Sequence, residues 1–437
     1  MDKIARNLLM VLSLLLVCAC VWAAPQKTRR GWTFAVEPGL KGAAPAVYGE
    51  TASAATDLTV TLSTIDSSGT LRRHGVLMFE EAASFSVILP AVSADTFMDV
   101  RVTTGPDEQP VLFRWRTLVR PKGKDYRSYM GLSGYEAPVD FDEFWARARK
   151  ELSAVPLRPH LQRVPDKDTT TGLLYRVDLP SVEETTIVAW CFVPRMTRQE
   201  SGTPARKYPA VILTPGYGGH EPPVDRTSSG IITLSLNPRG HGPSRDYWRA
   251  PVDHLGYNIA EPEHCYYKLS FLDCLRGAEY LFSLPEVDTG RVAAEGGSQG
   301  GLLSIALAAL EPRIACVTAN VPSWAAFADR ELLATAGTQM RVNRLLGLAR
   351  GLTSETAIRR TLALTDAANM ATRVHCPVQI TVGGLDMLCP WPTGVVIYNR
   401  LPTGSLKEIV MFADAPHEVT RLMRVANTRW CELHLLR

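Results

Sequence analysis

The stretch "AAEGGSQGGLLSIALAAL", residues 293–310, sets a single serine, Ser298, between two pairs of glycines, after an apolar run and before a long helix-forming one. Gly296-x-Ser298-x-Gly300 suits a tight strand-to-helix turn. Glycine at both flanks removes Cβ atoms that would collide there, and the turn lifts the middle hydroxyl clear of the backbone. A serine so presented can act as a nucleophile if a base lies within hydrogen-bond reach and an acid orients that base. A nucleotide cradle is excluded. Neither this stretch nor "TPGYGG" at residues 214–219 has the G-x-G-x-x-G spacing, and no lysine follows as a P-loop requires.

Among nine histidines the base is expected at His417. His220 and His241 also lie on loops after strand-like runs but precede the serine, whereas His417 follows both the serine and a suitable carboxylate. His417-Glu418 has no second histidine four residues on, which excludes a zinc-binding helix of the H-E-x-x-H type. For the acid, Asp386 is preferred to Asp366, which falls in a helical stretch, and to Asp414, which is too close to His417 in sequence for good geometry. Acyl transfer also needs donors for the oxyanion. The amide after the nucleophile, Gln299, supplies one at the start of a helix whose dipole favours negative charge, and Tyr217 in "TPGYGGH" supplies the other.

The elements that would position these groups are legible as alternating strands and helices after about residue 137. "TTIVAWCFVP", "PAVILTPGYGG", "GIITLSLNPRG", "RVAAEGG", "RIACVTANVP", "PVQITVGGLD" and "KEIVMFADAPHE" read as buried strands. Between the third and fourth, Phe271, Cys274, Leu275, Ala278, Leu281 and Phe282 recur at helical spacing. Reactive groups in such sheets collect on loops past the carboxyl ends of strands. Ser298, Asp386 and His417 each follow a strand, in the chain order of α/β-hydrolases. The expected fold is therefore α/β, an α/β-hydrolase with a mostly parallel sheet and helices on both faces, over residues 137–437. Residues 25–122 are strand-like throughout, as in "LTVTL", "FSVILP" and "FMDVRV", and predict a small β-sandwich of immunoglobulin-like type. Residues 123–136 read as a linker, and "VDFDEFWARARKEL" as the amphipathic helix that opens the second domain. The stretch from about 321 to 375, with "WAAFADRELL" and "RVNRLLGLARGL", reads as a helical insert that partly covers the site.

Residues 1–24 resemble an export signal: Lys3 and Arg6 form a basic start, an apolar run follows, and Val21-Trp22-Ala23 offers a cleavage site. Val17-Cys18-Ala19-Cys20 also resembles a lipobox, which gives a second reading with membrane attachment through a lipidated Cys20. Either way the expected location is outside the cytoplasm: periplasmic, anchored at the outer membrane, or extracellular. Losing Asp2, Lys3 and Arg6 takes the formal charge from +3 to +2, so nothing favours nucleic acid as a partner. Cys191, Cys265, Cys274, Cys316, Cys376, Cys389 and Cys431 are scattered without ligand spacing, so no metal and no cofactor are expected.

Taken together, "PVDFDEFWARARKEL", "GYGG", "NPRGHG", "YYKLSFLDCLRGAEYLFSLPEVD", "GGSQGG", "CPVQITVGGLDMLCPW" and the final "HE" make the chain from about Ala137 onward resemble the acetyl xylan esterase and cephalosporin-C deacetylase family of carbohydrate esterases. The resemblance implies that Ser298, Asp386 and His417 form a catalytic triad and that the amides of Tyr217 and Gln299 form the oxyanion hole. It implies an acetylated carbohydrate, xylan or xylo-oligosaccharide, as substrate, and a homo-oligomer, the family's ring-shaped hexamer. Arg239 and Gly240 match the family's Arg-Gly-Gln as structural residues near the site. His241 stands where the family carries glutamine, which would alter the pocket wall or subunit contacts. The β-rich N-terminal extension lies outside the minimal family pattern. Two other readings compete: a serine peptidase of the prolyl-oligopeptidase type, and a catalytically inactive carbohydrate-binding relative.

Overall fold

The computed structural model describes residues 27–29, 31–37, 46–51, 56–65, 71–90, 96–104, 111–119, 136–195, 206–250, 253–326, 354–384, 386, 388–412 and 415–436. The stretches read from the sequence as an export signal with Cys20, as a linker apart from Glu136 and as the middle of a helical insert, together with Asp414, lie outside the described residues. The chain divides into two compact units, Met1–Ser128 and Tyr129–Arg437.

The described strands of the first unit are β1 (Lys27–Arg29), β2 (Trp32–Glu37), β3 (Ala46–Thr51), β4 (Thr56–Ile65), β5 (Leu71–Ala82), β6 (Ser84–Ile88), β7 (Thr96–Thr104) and β8 (Val111–Val119). They pair into two four-stranded antiparallel sheets, β1-β2-β3-β6 and β5-β4-β7-β8. Period-two apolar positions explain the packing: Trp32 and Phe34 on β2, Phe85 and Val87 on β6, and Met98, Val100 and Val102 on β7 are all buried. Phe34 of one sheet stacks on Phe113 of the other with ring centroids 4.9 Å apart, so the two apolar faces meet. The peptidase reading calls for a radial array of four-stranded blades, and these described strands form a two-sheet stack instead.

The second unit opens with α1 (Phe141–Ser153), whose buried residues Phe141, Phe144, Trp145, Ala148 and Leu152 follow helical spacing. A helix of 13 residues is marginal alone. Each large apolar side chain it buries contributes about 1.5–3 kcal/mol, so docking decides its stability. Trp145 stacks on Phe271 at 5.5 Å and donates its indole N–H to the Leu364 carbonyl.

Then follow β9 (His160–Arg163), β10 (Gly172–Pro180), β11 (Thr186–Pro194), β12 (Tyr208–Thr214), β13 (Ile232–Asn237), α2 (Tyr266–Ser283), β14 (Val287–Gly297), α3 (Gln299–Leu310) and β15 (Ile314–Asn320). The unit closes with α4 (Glu355–Thr365), α5 (Ala367–Ala371), β16 (Val378–Gly383), α6 (Trp391–Arg400), β17 (Lys407–Phe412) and α7 (Arg421–Leu435). One nine-stranded sheet runs β17-β16-β15-β14-β12-β13-β11-β10-β9. From β17 to β13 every pairing is parallel, and β11, β10 and β9 add antiparallel. Strands β12, β13 and β16 are buried at every residue, as strands covered on both faces must be. The architecture is an α/β-hydrolase fold preceded by an all-β region. Among the described residues no helix is long and apolar enough to cross a membrane.

Register brings the functional loops together. Thr214 pairs with Gly296, Gly297 with Asn320, Asn320 with Thr381, and Gly383 with Phe412. The carboxyl ends of five parallel strands thus share one edge of the sheet, and Tyr217, Ser298, Asp386 and His417 all lie on loops just beyond it.

Candidate active site

Ser298 caps α3 with φ 57° and ψ −117°, a left-handed conformation for a residue that carries a Cβ. Such strain costs on the order of 1–3 kcal/mol and persists only where surroundings over-determine it. Here the Ser298 amide donates to the Asn320 carbonyl at 2.8 Å, and the Ser298 carbonyl accepts from Ser323 N at 3.1 Å. The flanking glycines are required by contact. A Cβ on Gly296 would strike the Gly300 backbone and the Thr214 hydroxyl, and a Cβ on Gly300 would strike the Thr214 carbonyl.

The Ser298 hydroxyl lies 2.9 Å from His417 Nε2, and His417 Nδ1 lies 2.7 Å from Asp386 Oδ2. Asp386 is fully buried, while His417 keeps 22% of its side chain exposed. The other Asp386 oxygen accepts the amides of Leu388 at 2.9 Å and Cys389 at 2.7 Å, so the carboxylate cannot rotate away. The loop holding His417 comes close because Gly383 leaves room: a Cβ there would meet the carbonyls of Ala415 and Pro416. With a carboxylate on Nδ1, the imidazole carries its proton on that side and presents a lone pair to the serine. Asp366 lies elsewhere, capping α5 by accepting the Ala368 amide at 2.8 Å.

Gln299 opens α3 and is fully buried. The loop that carries Tyr217 lies against the same turn, since a Cβ on Gly216 would sit 3.6 Å from the Gly297 carbonyl. Tyr217 is tied outward: its hydroxyl donates to Asp253 at 2.7 Å, and Asp253 also accepts the Leu255 amide. The sequence reading missed Asp253, whose only local signal is its place as a helix-capping aspartate before "HLG". It also missed Asn320, whose side chain accepts from the Thr381 hydroxyl at 2.7 Å and donates to the Gly296 carbonyl at 3.3 Å.

Arg239 is fully buried and makes a bidentate pair with Asp273, Nε to Oδ2 and Nη2 to Oδ1, both at 2.9 Å. Ser181 and the Arg239 amide complete the shell around that carboxylate. His241, where the resemblance implied an altered pocket wall or subunit contact, has no exposed surface and packs against Gln299 and Tyr266. Burial, helped by the charges of His254 and Arg245, lowers its pKa to about 4. Trp324 and Trp391 are likewise buried, with Trp324 set 4.5 Å from the Tyr267 ring and donating to the Thr365 hydroxyl. Among the described residues no cluster of three metal-ligating side chains occurs, and six of the seven described cysteines are buried.

A family model described as acetyl xylan esterase matches residues 124–434. An acetyl esterase of Xylanibacter ruminicola is 31% identical over 282 residues, an alignment that spans 60% of this chain and 60% of that protein. Two solved structures are similar. Acetyl xylan esterase 1 from a Thermoanaerobacterium species shares 25% identity at a TM-score of 0.62, over 70% of this chain and 98% of its own. An acetyl xylan esterase from a Paenibacillus species shares 26% at 0.63, over 70% and 99%. The family match begins at residue 124, so the all-β unit lies almost wholly outside it.

Proposed function

The chain belongs to the acetyl xylan esterase family of carboxylic ester hydrolases, and from that premise we propose that it is an exported serine esterase that removes acetyl groups from xylan or xylo-oligosaccharides. The observation that carries this reading is the hydrogen-bonded line from Asp386 through His417 to Ser298, at 2.7 and 2.9 Å. His417 Nε2 takes the Ser298 proton as the oxygen attacks the acetyl carbonyl. The oxyanion that forms is held by the amides of Tyr217 and Gln299, where the α3 dipole adds to the stabilisation. His417 then returns the proton to the departing sugar oxygen. Water, activated by the same histidine, releases acetate from the acyl-enzyme.

The test is release of acetate from acetylated xylan and from an aryl acetate by the wild-type chain and by Ser298→Ala. The variant is expected to keep its fold, because the hydroxyl sits at a turn outside the core, and to lose about a millionfold in kcat. Retention of more than about a thousandth of wild-type kcat would remove Ser298 from this role. Export is supported by the composition of residues 1–24. Mass spectrometry of the protein from its native host should find an N-terminus near Ala24 or a lipid on Cys20, and intact Met1 would overturn it.

A further inference from the structure

We propose that His241 is a positioning residue that holds Gln299, and with it one arm of the oxyanion hole, through a neutral imidazole accepting the Gln299 side-chain amide. The proposal rests on the esterase reading above for what the Gln299 N–H does.

The ring's proton can be placed by its partners. His241 Nδ1 lies 3.2 Å from the Arg239 carbonyl and 3.3 Å from the Tyr266 hydroxyl; the carbonyl only accepts, and the Gln299 NH₂ beside His241 Nε2 only donates, so Nδ1 carries the hydrogen. That leaves the Nε2 lone pair for the Gln299 Nε2 group 3.2 Å away, whose second hydrogen goes to the Tyr266 hydroxyl at 3.1 Å. Gln299 Oε1 has no partner among the described residues, so these two donations are what fix the side chain. The Gln299 backbone lies immediately after the strained Ser298, and a displacement there moves the amide that would face the oxyanion.

The identity of residue 241 fits this role. The related pattern is Arg-Gly-Gln, and here it is Arg239-Gly240-His241. A glutamine carboxamide and a neutral imidazole each offer one acceptor, and each has a donor on its other side. Either can therefore bridge the Arg239 carbonyl and the Gln299 amide, which a hydrocarbon side chain cannot. Protonated His241 would turn an N–H toward the Gln299 amide hydrogens. The charged and titratable groups around the ring are Arg239 and Arg245 on its own loop, His254 with its ring 5.8 Å away, and Tyr266 and Asp273 on α2. Burial, aided by His254 and Arg245 and opposed by the Arg239 carbonyl and Asp273, holds the imidazole neutral down to about pH 4.

The experiment compares His241→Ala, His241→Gln, Gln299→Ala and the double alanine variant, with kcat for an aryl acetate expressed per site titrated by a fluorophosphonate. Gln299→Ala keeps the backbone N–H and loses only the anchor. Misplacing a donor by a fraction of an ångström costs less than the 10²–10³ of losing it, so His241→Ala should lower kcat by about 10–100-fold. KM should stay within about threefold. His241→Gln should recover at least about tenfold over His241→Ala, and Gln299→Ala should match the alanine loss. The double variant should be no worse than about threefold below the lower single, because both changes break one contact. The proposal fails if His241→Ala stays within about threefold of wild type, if glutamine rescues nothing, or if the two losses multiply. Should His241→Ala not fold, Gln299→Ala decides alone: a kcat within about threefold of wild type overturns the proposal. Failure of the esterase reading looks different, since the wild-type chain would then neither label at Ser298 nor turn over the ester.

Discussion

Asp386→Asn tests the relay with little disturbance to its surroundings. In the wild-type chain one carboxylate oxygen accepts the Leu388 and Cys389 amides and the other accepts His417 Nδ1–H at 2.7 Å. The two backbone donors dictate which way an asparagine must sit: its carbonyl oxygen goes to them, and its NH₂ faces the imidazole. Two donors cannot share that contact, so His417 shifts its hydrogen to Nε2 and presents N–H, in place of a lone pair, to Ser298 Oγ. The base is then in the wrong tautomer, a change expected to lower kcat by about ten-thousandfold, or about 5 kcal/mol of transition-state stabilisation. Folding should be nearly unaffected, because both amide bonds survive and the site has the same volume. The assay is kcat for an aryl acetate beside a thermal melt. Loss of less than about tenfold, or a Tm that collapses with the activity, refutes the reasoning. A larger loss from Asp414→Asn would name a different carboxylate.

Three further outcomes follow from named contacts. Trp324 is packed on Tyr267 and bonded to Thr365, one residue from the Ser323 amide that holds the Ser298 carbonyl. The acyl side should therefore be rigid and small, and kcat/KM for aryl esters should fall at least about a hundredfold from acetyl to butyryl, because displacing packed aromatics costs more than a methylene returns. A flat or rising profile contradicts this. Arg239→Met leaves Asp273 fully buried without its cation, and chemical denaturation should show a loss of about 3–5 kcal/mol; a change under about 1 kcal/mol would count against the pair's role. Glu221, raised to about 7 by burial and by the Glu295 charge, stays protonated in the fold while the unfolded chain ionises near its ordinary value of 4.5. Its ionisation thus opposes folding: the penalty is absent below about pH 4.5, grows as pH rises, and is complete above about pH 7 at roughly 3 kcal/mol. Glu221→Gln should raise Tm at pH 8 and leave it unchanged at pH 4, and equal shifts at both would refute the assignment.

Much of the site could be read from residues because its constraints are local or ordinal. Gly296 and Gly300 stand where a Cβ would strike backbone, and that necessity is visible as spacing around Ser298. Strands β12, β13 and β16, covered on both faces, show as unbroken apolar runs. Strands β9 and β10 were not legible. β9 is mostly exposed, and β10 alternates buried positions with Tyr175, Arg176 and Asp178, so neither carries a buried-strand run. Nor does "TTIVAWCFVP" reveal its direction: β11 pairs antiparallel with β13, and no property of an apolar strand distinguishes that from the parallel case. The contact between His241, Tyr266 and Gln299 was illegible for a different reason. The three are far apart in the chain, on a loop, on α2 and at the head of α3, and only the folded unit brings them together.

That difference has a physical consequence for how the nucleophile is held. The strain at Ser298 is on the order of 1–3 kcal/mol, and a single hydrogen bond contributes about 0.5–1.5 kcal/mol net. One anchor cannot hold the turn, and the structure supplies several from different elements: Asn320 at the end of β15, Ser323 beyond it, and Leu302 one turn into α3. Asn320 is itself gripped by Thr381 of β16. The strained serine is therefore supported by the same strand ends whose register places Asp386 and His417. A substitution at Asn320 should act on the nucleophile's conformation and on the sheet edge at once, whereas one at His241 should reach only the Gln299 side. The relay and the oxyanion arm are thus separable by mutation, although both meet at one residue.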